Sequence, residues 1–287
     1  MRDVKTVGIF SKPKVPQAAE VVPELLRWLS SRGVAVRCDE ATAGYAGNVE
    51  SLPRERVANG ADLVIVLGGD GTLLSAARAL GGRDIPLFPV NLGGLGFLTA
   101  ITRDEICPEL DRFFRGEHRI GRRSMIECRV VRDGREAVQY TALNDIVLTK
   151  SSIARMIDFD VRVDGRFVAA YKADGLIMST PTGSTAYSLS AGGPIIFPQV
   201  SAFCLTPICP HMLTNRPVVV PDTSAVEVVN RAADGETYLT IDGQVGEPLL
   251  RSDTVVASRS AHVLQLVRPP RSTFFDVLRQ KLKWGER

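Results

Sequence analysis

The residues best suited to chemistry lie at Gly68-Gly69-Asp70-Gly71-Thr72, where an uninterrupted apolar run from Leu63 to Leu67 gives way to glycines, a carboxylate and a hydroxyl. A helical pattern follows at once. A strand buried on both faces is continuously apolar, glycines let a backbone turn sharply and approach a ligand, and a helix N-terminus offers unpaired N–H groups to anions. The stretch therefore reads as strand, tight loop and helix, built to hold phosphate oxygens at Gly68, Gly69, Gly71 and Thr72. Asp70 is the unusual member, because a carboxylate at a phosphate site repels its ligand unless it takes a proton or coordinates a cation. An ordinary strand-to-helix connection with a helix-capping Asp is the plainer alternative.

Other polar groups stand in apolar surroundings. Asn144-Asp145 sits between Ala142-Leu143 and Ile146-Val147-Leu148, and is either a strand-end turn or a pair of donors and acceptors suited to the vicinal hydroxyls of a ribose. The run Ser179 to Pro194 is rich in small polar residues yet flanked by Leu176-Ile177-Met178 and Ile195-Ile196-Phe197. Hydroxyls enclosed by core need partners, which a nucleotide supplies; a plain connecting loop is the alternative. Asn91-Leu92-Gly93-Gly94-Leu95-Gly96-Phe97 is a second glycine loop without the G-x-G-x-x-G spacing of a dinucleotide fold, and the chain carries no G-x-x-x-x-G-K-[ST]. Its glycines serve either close packing or ligand approach, with Phe97 as an apolar wall.

Five Asp-Gly pairs follow Met125, and a hairpin turn is the default for each. Asp133-Gly134, Asp164-Gly165 and Asp234-Gly235 have polar neighbours and fit that default. Asp174-Gly175 and Asp242-Gly243 adjoin apolar strands, which predicts enclosed carboxylates aimed at a polar ligand. His211 is a lone histidine on an apolar background and reads as structural. The cysteines Cys38, Cys107, Cys128, Cys204 and Cys209 lack C-x-x-C spacing and read as reduced core residues rather than as a zinc site or disulfide framework.

The elements that must position these groups fall into two grammars. Up to Phe114, strands (Lys5–Phe10, Val34–Cys38, Leu63–Leu67, Ile85–Val90) alternate with helical spacing (Ala18–Ser31, Thr72–Leu80, Ile106–Phe114). That is the pattern of a parallel sheet with helices on both faces, whose ligands bind beyond the C-terminal strand ends. From Met125 onward, short stretches rich in Val, Ile, Thr and Tyr between turn dipeptides predict an antiparallel β domain. Phe274 to Trp284 has helical spacing again and is expected to pack back on the first domain.

At 287 residues and 45% apolar composition the chain is long enough for two domains with substantial cores. The net charge of +3 comes from mixed basic and acidic residues and gives no electrostatic argument for nucleic acid or membrane. The opening segment reaches a strand at once, and no apolar run is long enough to span a bilayer, so the expected compartment is the cytoplasm.

Taken together, the Gly68–Thr72 loop, the Asn91–Phe97 loop, the Asp174–Tyr187 stretch, Pro210-His211-Met212-Leu213-Thr214-Asn215-Arg216-Pro217 and Asp242-Gly243-Gln244 resemble the NAD kinase family, in order and over most of the chain. The first loop alone is shared with diacylglycerol kinases, sphingosine kinases and phosphofructokinases; the later motifs carry the specificity. The resemblance implies ATP-dependent phosphorylation of the adenosine-ribose 2′-hydroxyl of NAD, with a divalent cation expected as magnesium. It implies a Rossmann-like α/β domain over residues 1–118, a β-sandwich-like NAD-binding domain over 119–268 and a returning helix over 269–287. By similarity, Asp70 is the catalytic carboxylate, with Gly71, Leu74 and Phe97 beside the substrate. Asn144 and Asp145 bind ribose hydroxyls, Thr185, Ala186, Tyr187 and Ser190 line the adenine pocket, and Asp242 and Gln244 lie towards the nicotinamide end. Asp174 occupies the family position that reaches a neighbouring subunit's site in a homodimer or homotetramer, and Lys172, among the NAD-binding residues, holds a basic position two residues before it. Asp145 departs from the family's usual Glu, and its shorter side chain implies a longer or water-bridged ribose contact.

Overall fold

The structure, a computed structural model, describes residues 4–47, 49–94, 96–151, 155–233, 235–270 and 273–284. Leu95 of the second glycine loop, Asp234 of one predicted turn and Met1 to Asp3 of the opening segment lie outside the described residues. The chain divides into one unit of Met1–Arg122 with Leu264–Arg287 and a second of Arg123–Val263.

The first unit runs β1 (Thr6–Ser11), α1 (Pro16–Ser30), β2 (Ala35–Asp39), α2 (Glu40–Ala46), β3 (Ser51–Leu52), α3 (Arg54–Val57), β4 (Leu63–Gly68), α4 (Asp70–Leu80), β5 (Leu87–Asn91) and α5 (Ile106–Arg115). Proline at the first position, its φ already helical, opens α1, which buries Val21, Val22, Leu25 and Leu29 against the sheet. β1, β2, β3, β4 and β5 are all parallel, in the order β5-β4-β1-β2-β3. β4 is central and buried along its whole length, as its unbroken apolar run requires. α4 begins at Asp70, two residues before the helix expected from Thr72, because Gly69 in extended conformation already serves as its cap. It stops at Gly81, whose φ of 54° is left-handed. α2, β3 and α3 escape the sequence pattern: each is too short to show a periodicity.

The second unit holds the remaining strands. β6 (Arg119–Arg132) and β7 (Arg135–Ala142) form a hairpin, followed by β8 (Asp145–Lys150), β9 (Ile157–Val163), β10 (Arg166–Ala173) and β11 (Gly175–Ser179). After the short helix α6 (Tyr187–Ser190) come β12 (Ala202–Ile208), β13 (Val218–Pro221), β14 (Val226–Asn230), β15 (Thr237–Ile241), β16 (Val245–Leu249) and the long β17 (Thr254–Arg268). One antiparallel sheet has the order β13-β12-β11-β8-β15-β16; in the other, β9 and β10 pair with each other and β14 pairs with β9 and β17. A shared core, with Phe159, Tyr171 and Val228 from one sheet and Ile146, Met178 and Leu239 from the other, makes this a sandwich.

β17 then supplies Leu266, which pairs with Leu87 of β5 in the first unit, and α7 (Phe274–Leu282) completes that unit. α7 is capped by Thr273, whose hydroxyl accepts from the Asp276 N–H.

Candidate active site

In the first unit, β4 and β5 deliver the two glycine loops at their C-terminal ends. Gly68 has no room for a side chain, since an added Cβ would collide with the Thr72 hydroxyl and lie 2.8 Å from Thr72 Cβ. The backbone thereby turns tightly into α4, leaving Gly71 exposed and Leu74 buried on the core side of the helix. Asp70 is the first residue of that helix.

The Asp70 carboxylate is fully engaged by the second glycine loop. Its Oδ2 accepts the Phe97 N–H at 2.8 Å; its Oδ1 accepts the N–H groups of Leu98 and Thr99 at 3.1 and 3.2 Å and the Thr99 hydroxyl at 3.1 Å. Backbone N–H groups present the positive ends of their dipoles to this carboxylate and fix its orientation. Asn91 organises the same loop, its Nδ2 donating to Gly94 O at 2.7 Å and to Thr99 Oγ1 at 3.1 Å while Oδ1 accepts the Gly93 N–H at 2.7 Å. Phe97 is half-buried, with Lys281 Nζ of α7 lying 5.9 Å from its ring centre.

Gly96 is explained by the same carboxylate. A Cβ there would overlap Asp70 Oδ1 and Thr99 Oγ1 and stand 2.9 Å from Asp70 Cγ. The G96A variant is therefore expected to turn the Asp70 carboxylate away, destabilising the unit by about 1–3 kcal/mol and lowering turnover by about tenfold or more. Urea unfolding and steady-state kinetics check both parts, and wild-type turnover would remove the coupling between loop and carboxylate.

In the second unit, Asp242 organises the site. Its carboxylate accepts the N–H groups of Leu143, Asn144 and Asp145 at 3.1, 2.7 and 3.2 Å, and its own N–H donates to Asp145 O at 2.9 Å. Asp242 and Gly243 have φ of 51° and 62° and form the tight turn joining β15 to β16. Treating this pair as something other than a hairpin turn is corrected: it is that turn, and its carboxylate is also enclosed. Asp133-Gly134 and Asp164-Gly165 make the β6–β7 and β9–β10 turns with the same left-handed φ values. Asp174 leads into β11 and pairs with Lys150 Nζ at 2.6 Å.

Asn144 and Asp145 lie where the chain enters β8, half-buried and buried respectively. The Gly183 backbone packs on that of Asn144 so closely that a Cβ would lie 2.7 Å from Asn144 Cα. The Thr180 hydroxyl donates to Leu143 O at 2.6 Å, and the Thr180 N–H to Asn144 O at 2.9 Å. Asn144 is thus gripped from both sides, yet its Oδ1 is buried with no hydrogen-bond partner, as is Ser179 Oγ. Burial first, and then the Asp242 charge, push the Asp145 carboxyl up to about 7.

The hydroxyls of the Ser179–Pro194 run are mostly satisfied by protein, which corrects the expectation that a nucleotide supplies their partners. Ser184 Oγ donates to Pro181 O at 2.7 Å, Ser188 Oγ meets Thr206 Oγ1 at 2.9 Å, and Thr185 Oγ1 donates to Thr182 O at 3.2 Å. Thr185 and Ala186 are half-buried; Tyr187, Ser190, Gln244 and Lys172 are exposed. His211 is exposed too, its backbone N–H bonded to Lys172 O at 2.9 Å. Burial pushes the Cys38 and Cys128 thiols up to about 11 and about 12, so neither is a thiolate nucleophile.

Within the first unit, therefore, Gly68, Gly69, Asp70, Gly71, Thr72 and Phe97 come together, whereas Leu74 belongs to the core. Within the second, Asn144, Asp145 and Asp242 come together, and the Thr182–Thr185 turn packs on them through Gly183. Thr99 was missed by sequence reasoning, a loop hydroxyl with no local pattern to mark it, whereas Thr180 lies in the Ser179–Pro194 run already singled out. Among the described residues no set of three or more His, Cys, Asp and Glu side chains is placed to hold a metal ion. No helix among them is long and apolar enough to cross a membrane.

Comparison with known proteins accords with this geometry. Residues 7–118 match the family model of the ATP-NAD kinase N-terminal domain, and residues 143–269 that of the ATP-NAD kinase C-terminal domain. An NAD kinase of Solibacter usitatus is 66% identical over 99% of both chains, and one of Koribacter versatilis is 49% identical over 99% of this chain and all of its own. Among solved structures, yeast NADH kinase complexed with NADH has a TM-score of 0.92 at 27% identity, covering 99% of this chain and 89% of that one. An NAD kinase from Archaeoglobus fulgidus in complex with ATP has a TM-score of 0.79 at 26% identity, covering 97% of this chain and 98% of that one. With both domain models matched in order and close relatives aligned along the full length, the chain belongs to the NAD kinase family of ATP-dependent kinases.

Proposed function

We propose that this enzyme transfers the γ-phosphoryl group of ATP to the adenosine-ribose 2′-hydroxyl of NAD, with Asp70 as the general base. The carrying observation is the Asp70 carboxylate, set at the first position of α4 beside the glycine loop and oriented by four hydrogen bonds. The 2′-oxygen attacks the γ-phosphorus, the bond to the β,γ-bridging oxygen breaks to release ADP, and the hydroxyl proton passes to Asp70. Phosphoryl transfer has a loose transition state in which positioning and charge neutralisation do most of the work, so a fixed carboxylate and a tight backbone loop suit it. Gly68, Gly69, Gly71 and Thr72 hold phosphate oxygens in this reading. Magnesium enters on the ATP phosphates as part of that substrate, the usual manner of a cation that keeps its waters and binds through phosphates.

Asn144 and Asp145 hold ribose hydroxyls. The buried, unpartnered Asn144 Oδ1 supports this, since a hydroxyl donor satisfies it. Asp242 braces these two residues from the nicotinamide side with Gln244, and Thr185, Ala186, Tyr187 and Ser190 line the adenine pocket; in the first unit Phe97 gives the glycine-loop site its apolar wall. Asp174 serves a neighbouring subunit in a homodimer or homotetramer, with Lys172 as a basic NAD-binding residue two positions before it. The cytoplasm is the working compartment, which the free cysteines support.

The test is purified protein with magnesium, ATP and NAD, followed by detection of NADP. Formation of NADP phosphorylated at the 2′ position is expected. NAD binding without product overturns the assignment in favour of a dinucleotide sensor.

A further inference from the structure

Two adjoining hollows of the first unit extend from the phosphate-holding glycine loop to side chains with no role so far. One, of about 260 Å³, is lined by Gly71, Thr72 and Ser75 of α4 together with Lys12 and Arg54. The other, of about 750 Å³, is lined by Gly44, Tyr45, Leu52 and Pro53, and the two share Arg54 and Pro13 along their common edge. The first offers two cationic side chains, two hydroxyls and the N-terminal turn of a helix, which is the chemistry of a polyphosphate chain. The second is of ligand size and has largely apolar walls, which suits a nucleoside.

The cationic group at the shared edge is rigidly held. Arg54 Nε donates to Asp39 Oδ2 at 2.8 Å, Nη2 to Ser11 O at 3.0 Å and Nη1 to Ser75 Oγ at 2.7 Å. Asp39 is itself almost fully buried, so the guanidinium is fixed from behind by a charge that cannot move away. The Tyr45 ring is anchored likewise, its hydroxyl accepting the Val15 N–H at 2.7 Å and donating to Lys12 O at 3.0 Å. A preformed cation at the shared edge and a preformed ring in the larger hollow lose little freedom on binding.

We infer that the phosphoryl donor is bound by this hollow, its triphosphate against Lys12 and Arg54 and its nucleoside in the groove beside Tyr45, so that the enzyme selects a nucleoside triphosphate over inorganic polyphosphate. The inference rests on the kinase reading above and names where its donor sits. Arg54 is a poor probe, because its removal leaves the Asp39 carboxylate buried and unpaired. Lys12 is exposed, and a Cβ at Gly44 meets nothing within 4 Å, so Lys12→Met and Gly44→Trp keep the fold while removing a charge and filling the groove.

The experiment measures KM for magnesium-ATP and for NAD, and the inhibition constant of inorganic tripolyphosphate, in wild type and both variants, with calorimetric binding of ATP and tripolyphosphate alongside. K12M is expected to weaken both ATP and tripolyphosphate by about tenfold, the loss of one charge-assisted contact. G44W is expected to weaken ATP by about tenfold or more and to leave tripolyphosphate unchanged, with the KM for NAD unaltered in both variants. Unchanged ATP affinity in either variant, or an equal loss of tripolyphosphate in G44W, overturns the inference. Absence of NADP formation by the wild type overturns the kinase reading instead, and the calorimetric arm still decides whether a nucleoside triphosphate occupies the hollow.

Discussion

Asp70→Asn is expected to lower NADP formation by about 100-fold or more, the usual worth of a general base. The effect has two parts, because the wild-type carboxylate accepts four hydrogen bonds from the Phe97–Thr99 segment and an amide offers only one acceptor oxygen. Losing charge-assisted bonds costs about 1.5–3 kcal/mol of stability, so the variant should unfold at lower urea concentration than wild type and still fold. Binding of NAD and of magnesium-ATP, measured separately, should persist, which places the loss in turnover rather than in affinity. Near-normal turnover sinks the assignment of Asp70. A parallel loss of binding and turnover assigns the carboxylate to loop architecture alone.

The second large effect is a pH dependence at Asp145. Burial, reinforced by the neighbouring Asp242, pushes this carboxyl from the ordinary aspartate range up to about 7. Between about pH 4 and pH 7 the native protein therefore holds a proton that the unfolded chain has already released, and stability falls as pH rises through that window. At 1.36 kcal/mol for each pH unit of displacement, the ionised carboxylate costs about 4 kcal/mol once the pH exceeds 7. Asp145→Asn removes the ionisation and is expected to be more stable than wild type by about 2–4 kcal/mol at pH 8, with the gain vanishing near pH 4. Urea titrations at several pH values test this, and a gain that does not change with pH refutes it. The same variant should lose affinity for NAD at pH 8, where the wild-type carboxylate is charged and able to accept two ribose hydroxyls.

What could be read from the chain without coordinates follows the length scale of each signal. β4, α1 and α4 announce themselves because a buried strand needs an apolar run and a packed helix needs its stripe, and both patterns lie within a dozen residues. The Asp-Gly turns are equally local, since two successive left-handed residues suffice. Contacts across sequence gaps carry no such mark. Nothing in the spacing says that Gly96 is small because the Asp70 carboxylate occupies its side-chain space, or that Asp242 closes on the N–H groups of Leu143 to Asp145. Arg54 is a further instance: α3 is four residues long, and its arginine reads as a solvated surface charge until Asp39, Ser11 and Ser75 are seen around it. Asp242 shows the cost of treating alternatives as exclusive, because the hairpin turn is what aims its carboxylate inward.

The return of the chain in β17 has a consequence for synthesis. The first unit needs Leu266 beside Leu87 of β5, and α7, to be complete, yet these residues are made only after all of Arg123–Val263. A ribosome therefore releases the sandwich unit in full before the parallel sheet can be finished, and the outer flank of β5, bridged at Val90 by Ile101, must wait through that interval without its partner at Leu87. At about 5–20 residues per second, the 141 residues of the intervening unit impose a delay of roughly 7–30 s. Truncation just before Leu264 is thus a lesion of the first unit, although it lies more than 140 residues beyond that unit's other segment.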